Sequence, residues 1–330
     1  MPDSFLFSVV ILSYRSNETW KKAVDSVLMQ DYPKVELIFS DDGSPDFDKN
    51  IVLDYIVSNA KSNLCGFQIL DSSVNRGTVK NLMEAERFCS GRYLIHFAAD
   101  DALADEYALS LLAEALEGKS DDVLGVYGES IICDSDLTPT KDCSFDTTNA
   151  ARMNAETSQQ QWQRLCSRCC IHLGATAFVR EELKKAEGFD DSFVLMEDWP
   201  FFLKCTHNGF RFTFVEQPVL LYRKGGITDG DFSEGRKQLF KDHLHLYEKY
   251  ILPDSNRIGA KTCAVWLRYL DDRKDTDKAY GRLSNLSDKE IAGFTKKYPL
   301  YFCIWFLKRY RRYIALLVIL ILFLFIINLL

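Results

Sequence analysis

Apolar and polar positions alternate in blocks over the first 130 residues. Short apolar runs are separated by stretches whose apolar residues recur three and four apart, the pattern of strands and crossover helices in an α/β layer. Residues 7–12 predict a buried strand, and Trp20, Ala23, Val24, Val27 and Leu28 one face of a helix that Ser16 or Asn17 caps. Residues 35–39 predict a second strand, ending in the turn-forming string Ser40-Asp41-Asp42-Gly43-Ser44. Helices follow at 50–60 and 79–89 around a short strand near 67–70. A strand at 93–97 ends in Ala98-Ala99-Asp100-Asp101 and leads to a helix at 105–116 and a strand at 123–133. Residues 134–161 are polar and read as a long excursion. Strands at 175–179, 212–215 and 219–222 and helices at 201–205 and 237–250 complete the pattern.

The pattern changes at the end of the chain. Residues 314–327 are all apolar, and Asn328 is the only polar residue between them and Leu330. Seventeen residues at about 1.5 Å each give roughly 25 Å of helix, close to the hydrocarbon core of a bilayer. A run apolar on every face is hard to bury in a soluble domain, so a membrane anchor is expected. Lys308, Arg309, Arg311 and Arg312 precede it, and by the positive-inside rule they stay in the cytoplasm. The expectation is a single-pass C-terminal anchor in the cytoplasmic membrane, with the bulk of the chain facing the cytosol.

Composition narrows the function. Hydrophobic residues make up 47% and charged residues 26%, enough for a core. A net charge of −7 has the wrong sign for a protein whose main partner is nucleic acid. The ten cysteines follow no framework spacing, which suits a reducing compartment. Cys166, Cys169, Cys170 and His172 invite a zinc reading, but no second ligand pair lies at a finger-like interval, and reduced cysteines pack as small hydrophobes.

Two carboxylate pairs, Asp41-Asp42 and Asp100-Asp101, fall at the C-terminal ends of predicted strands, the edge where open α/β sheets bind ligands. Such pairs also make turns and cap helices, though two at corresponding strand ends weaken that explanation. An acidic cleft binds phosphates only through a divalent cation, Mg²⁺ or Mn²⁺. The turn after the first strand, Ser13-Tyr14-Arg15-Ser16-Asn17, has no glycine, which argues against a dinucleotide cofactor.

The strings Phe7-Ser8-Val9-Val10-Ile11-Leu12-Ser13-Tyr14, Asp41-Asp42-Gly43-Ser44, Asn75-Arg76-Gly77, Gly91-Arg92-Tyr93-Leu94 and Ala98-Ala99-Asp100-Asp101, with Glu197-Asp198-Trp199 and Tyr222-Arg223 further on, resemble the inverting family 2 glycosyltransferases over residues 5–228. The resemblance implies a GT-A (Rossmann-like) α/β fold, a mixed sheet flanked by helices, in a bacterial-type glycan-assembly enzyme. It implies that Ser13, Tyr14, Asp41, Asp42, Arg76, Asp100 and Arg223 bind a nucleotide-diphosphate sugar. An Asp41 or Asp42 carboxylate accepting the N3–H of uracil would favour a UDP-sugar. Asp100 and Asp101 would bind the metal, with Ala98 where the family's first aspartate stands, and no histidine follows Arg223 as it does in many relatives. Glu197 and Asp198 would be catalytic, Asp198 as the general base toward a glycan or lipid-linked glycan hydroxyl.

The expected organisation is a GT-A domain at 1–230, a helical extension at 231–297, an aromatic and basic juxtamembrane segment at 298–312 and a transmembrane helix at 313–330. The alternatives are a polyprenyl-phosphate sugar transferase, which needs no general base, and an inactive GT-A scaffold in a membrane assembly.

Overall fold

The apolar runs pair side by side as strands. In the computed structural model, residues 5–16, 19–140, 147–224 and 233–259 are described, with the single positions 262, 263, 266, 296, 299, 303, 307, 310 and 314. Among these residues one sheet contains β1 (Phe7–Ser13), β2 (Val35–Asp41), β3 (Leu64–Asp71), β4 (Tyr93–Ala98), β5 (Ala102–Leu103), β6 (Val123–Cys133), β7 (Thr176–Val179) and β8 (Arg211–Arg223). Their order is β3-β2-β1-β4-β7-β6-β8-β5. The first four strands are parallel; β7 runs antiparallel between β4 and β6, and β6 runs parallel to β8. This is the mixed α/β sheet that the resemblance implies.

The described helices are α1 (Thr19–Leu28), α2 (Lys49–Asn59), α3 (Thr78–Glu86), α4 (Ala108–Leu116), α5 (Thr147–Met153), α6 (Ser158–Leu165), α7 (Arg180–Lys185), α8 (Asp198–His207) and α9 (Ser233–Leu246). Successive strand residues face opposite sides of the sheet, so a sheet covered on both faces gives unbroken apolar runs in the sequence. Phe7, Val9 and Ile11 of β1 and Val35, Leu37 and Phe39 of β2 share a core with the buried residues of α1, α2 and α4. On the other face Ser40 donates from Oγ to Asn81 Oδ1 of α3 at 2.6 Å, and Asn81 Nδ2 donates back to the Ser40 carbonyl at 3.1 Å.

The strand register places the site. Ser13 pairs with Asp41, and Leu12 pairs with Ala98, so β1, β2 and β4 end level with one another. The loops that follow them, which carry both carboxylate pairs, therefore emerge together.

Several elements differ from the sequence expectation, which held no counterpart of β5 or α7. The polar stretch at 134–161 includes α5 and runs into α6, which is held by a complete capping box between Thr157 and Gln160. The two strands expected at 212–215 and 219–222 are one strand, β8. Pro218 has no N–H to give the ladder and sits opposite Glu129, where the β6–β8 register shifts. The helix expected to begin at about 201 starts at Asp198, inside the motif that carries the candidate base.

The chain divides into two units, Met1–Asp242 and His243–Leu330. In the second, the last turn of α9 widens into a π-helical turn at Tyr247–Ile251, and a 3₁₀ turn spans Ser255–Arg257. Apart from isolated positions, the expected segments at 298–312 and 313–330 lie outside the described residues. Among the described residues no helix is long and apolar enough to cross a membrane.

Candidate active site

Asp41, the last residue of β2, is buried and organises the turn that follows it. Its Oδ1 accepts the Ser44 amide at 2.7 Å, and its Oδ2 accepts the Ser44 hydroxyl at 2.7 Å and the Ser13 hydroxyl at 2.9 Å. The Arg15 amide donates to Ser44 Oγ at 2.7 Å, which joins this turn to the loop after β1. Half-buried Tyr14 lies in that loop, with the Arg15 guanidinium 5.1 Å from its ring centre.

Asp42 reaches 34 residues along the chain. Its Oδ1 accepts the Arg76 amide at 3.0 Å, and its Oδ2 accepts the Gly77 amide at 2.8 Å. Burial raises its pKa, while those two amides and the Arg76 guanidinium, with Nε 3.7 Å from Oδ1, pull it back. Arg76 Nε is itself buried and makes no hydrogen bond among the described residues, its guanidinium lying in the ion pair with Asp42. Glycine is required at both ends of the contact. Gly43 (φ +77°) would carry a Cβ 2.6 Å from the Val74 carbonyl carbon, and Gly77 (φ +87°) one 2.8 Å from the Val194 oxygen.

At the end of β4 the second pair is arranged differently. Asp101 is 4% exposed, and its Oδ1 accepts the Arg223 amide at 2.9 Å. Arg223 Nε donates to the Asp100 carbonyl at 2.8 Å, and Arg223 also donates to the Ser135 carbonyl. Arg223 thus ties β8 to this loop through backbone groups. The Asp100 carboxyl is raised by burial; the Asp101 carboxyl is raised well above its usual range by burial and then by the charge of Asp100, with Arg223 opposing both. Two adjacent carboxyls short of positive charge are a donor set that suits a hard, oxygen-binding divalent cation. Among the described residues no group of three or more His, Cys, Asp or Glu side chains could hold a metal ion.

The third acidic pair sits at the start of α8. The Glu197 carboxyl is raised by burial, by the charge of Asp198 and by that of Asp242. Asp198 is also raised by burial, but the Trp199 amide at 2.6 Å and the Cys169 thiol at 3.7 Å donate to its two oxygens and favour its anion. The pair therefore splits into a Glu197 that holds its proton and an Asp198 that gives its proton up more readily. Burial and the Asp198 charge raise the Cys169 thiol well above its usual range, so it remains a neutral donor.

Contacts link these groups. The Val194 carbonyl abuts Gly77 and accepts the Val79 amide at 3.5 Å, which sets the segment leading to Asp198 against the turn that Asp42 holds. On another side, His172 packs edge-on to Tyr222 at 5.0 Å, next to Arg223, and its Nδ1 lies 2.7 Å from Ser130 Oγ. Burial depresses the His172 pKa to about 4, so at neutral pH it is an uncharged part of the wall. The sequence assigned no role to Asp242, and Cys169 and His172 were weighed only for zinc. Their contacts span 29 to 48 residues for Cys169 and Asp242, which no local motif reveals.

The geometry can be set beside known proteins. The family model described as glycosyl transferase family 2 matches residues 8–177, just over half of the chain. The chain belongs to this family. It is 24% identical over 280 residues to the amylovoran biosynthesis glycosyltransferase AmsB of Erwinia amylovora, covering 80% of this chain and 88% of AmsB. It is 29% identical over 99 residues to WfgD of Escherichia coli, a UDP-Glc:α-D-GlcNAc-diphosphoundecaprenol β-1,3-glucosyltransferase, covering 30% of this chain and 36% of WfgD. The chain spans a third or less of the length of the first curated relatives it matches. The mannosyltransferase PcManGT of Pyrobaculum calidifontis, solved with GDP-Man and Mn²⁺, superposes with a TM-score of 0.56 at 17% identity, covering 93% of this chain and 85% of that one. At that identity the likeness is one of fold.

The family 2 chain holds the Asp101 proton more tightly folded than unfolded. Its folding therefore takes up a proton, and stability falls as pH rises from about 4 toward the raised folded pKa. Asp101→Asn keeps the acceptor for the Arg223 amide and removes that penalty. The ligand-free variant should melt higher than wild type at pH 7.5, with the gain absent near pH 4, in pH-resolved thermal melts. A lower melting temperature at pH 7.5 would show that the charge stabilises the fold.

Proposed function

We propose that this chain transfers a sugar, with inversion, from a nucleotide-diphosphate donor to a hydroxyl of a glycan or lipid-linked glycan acceptor. The observation that carries the reading is the seating of the Val194 carbonyl on Gly77, which joins the segment bearing Asp198 to the turn bearing Arg76. A candidate base and a candidate diphosphate-binding cation are thereby parts of one wall.

Roles follow from the chemistry of each group. Asp100 and Asp101 would hold Mg²⁺ or Mn²⁺, which when bound supplies positive charge for the leaving diphosphate. Arg76 and Arg223 add fixed positive charge on that side. Asp198 takes the proton of the attacking hydroxyl, and Glu197, kept protonated by its neighbours, leaves Asp198 as the anion of the pair. Ser13, Tyr14, Asp41 and Asp42 shape the base subsite, although both aspartates already accept protein donors. The N3–H of uracil is matched by a carboxylate oxygen with a free lone pair, while cytosine offers no hydrogen there. The UDP-Glc named for WfgD supports a uridine donor, its diphosphoundecaprenol acceptor supports a lipid-linked one, and the GDP-Man and Mn²⁺ bound by PcManGT support metal use.

Asp198→Asn is expected to lower transfer about 10²- to 10⁴-fold while UDP binding is retained, read by product formation and by calorimetry. Undiminished transfer would rule out Asp198 as base and favour a phosphate nucleophile, as in a polyprenyl-phosphate sugar transferase.

The membrane location is part of the same proposal and is supported by the apolar run at 314–327 and the basic cluster before it. Tethering would raise the catalyst's local concentration at a lipid-linked acceptor. The full chain should stay with membranes through high-salt and carbonate washes, and release by salt alone would contradict the anchor.

A further inference from the structure

Three consecutive amides immediately before the candidate base converge on one buried carboxylate from α9. Asp242, 3% exposed, accepts at Oδ2 the N–H groups of Val194 at 3.1 Å, Leu195 at 2.7 Å and Met196 at 3.1 Å. Its Oδ1 accepts Gln238 Nε2 at 2.9 Å, one helical turn earlier, which fixes the carboxylate's orientation. Successive backbone N–H groups closing on one anion form a nest, in which charge-assisted hydrogen bonds set the backbone path. The anion here is part of the chain.

The clamped segment has two working ends. Its first residue presents the carbonyl that abuts Gly77, and the residues after its last are Glu197 and Asp198. Among the described residues nothing else holds the amides of residues 194–196; without Asp242 three donors would lose an anionic acceptor. We propose that Asp242 is a positioning residue for sugar transfer, clamping residues 194–196 so that Asp198 is held at the donor wall in the geometry the acceptor hydroxyl needs. This rests on the assignment of Asp198 as the base. It gives a role to α9, a helix outside the matched family segment at 8–177.

The test uses the full-length chain and Asp242→Asn, which keeps the side-chain size and removes the charge. The probes are UDP for binding and UDP-glucose or UDP-N-acetylglucosamine, whichever wild type consumes, for turnover. The expected result is a fall in kcat of about 10- to 100-fold, with donor KM, UDP affinity and UDP binding stoichiometry within twofold of wild type, since small misplacements cost this much. A purely structural role would instead lower binding stoichiometry together with kcat, and that result, or an unchanged kcat, would overturn the proposal. Hydrogen exchange reads the clamp without activity: the amides of residues 194–196 should be protected in wild type and lose protection in the variant, while those of Arg76 and Gly77 keep theirs. If wild type consumes neither sugar, the donor reading fails, and exchange alone decides the clamp; unprotected amides at 194–196 in wild type would refute it. If Asp242→Asn does not fold, Gln238→Ala takes its place, with kcat expected to fall several-fold at unchanged KM and an unchanged kcat overturning the proposal.

Discussion

Parallel pairing of β1, β2 and β4 brings Asp41, Asp42, Asp100 and Asp101 to one edge of the sheet, and a carboxylate buried there costs free energy unless it finds donors. The two pairs meet this constraint differently. Asp41 and Asp42 are met by protein: amides of Ser44, Arg76 and Gly77, hydroxyls of Ser13 and Ser44, and the guanidinium of Arg76. Asp100 and Asp101 receive less, chiefly one amide and the nearby charge of Arg223; both carboxyls are raised, as is that of Asp42, and Asp101 well above its usual range. Under the proposed function, the charge left uncompensated at the second pair is what a divalent cation would neutralise. A fold that neutralised it internally would gain stability and lose the site, the usual conflict between stability and function.

The same division explains how much was legible in the sequence. Strand runs and the helix face of Trp20, Ala23, Val24, Val27 and Leu28 were readable because burial on a regular lattice imposes a period, and those five residues are the buried ones of α1. The place of the two aspartate pairs was readable because strand ends and turn residues are local signals. Their difference was not, since the donors that separate Asp42 from Asp101 come from residues 34 and 122 positions away. The gap expected between strands at 212–215 and 219–222 is an irregular register that includes Pro218, whose missing N–H is tolerated where the ladder shifts.

At the candidate base, the local string Glu197-Asp198 carried the signal, and its environment did not. Cys169 donates to Asp198 across 29 residues, and Asp242 clamps the preceding segment across 46 to 48. A short acidic motif thus takes its environment from partners in two other segments. Burial raises both carboxyls; the charges of Asp198 and Asp242 add to Glu197, while the Trp199 amide and the Cys169 thiol favour the Asp198 anion.

Under the proposed function, the edge between the Asp42–Arg76 turn and the Asp100–Asp101 pair would be a metal-dependent nucleotide-diphosphate site. Calorimetric titration of the full-length chain with UDP and with CDP, each in Mn²⁺ and in EDTA, tests it most directly. Binding of UDP in Mn²⁺, its loss in EDTA, and weaker binding of CDP are the expected results. UDP binding of equal strength in EDTA, or no binding of either nucleotide by folded protein, would contradict it.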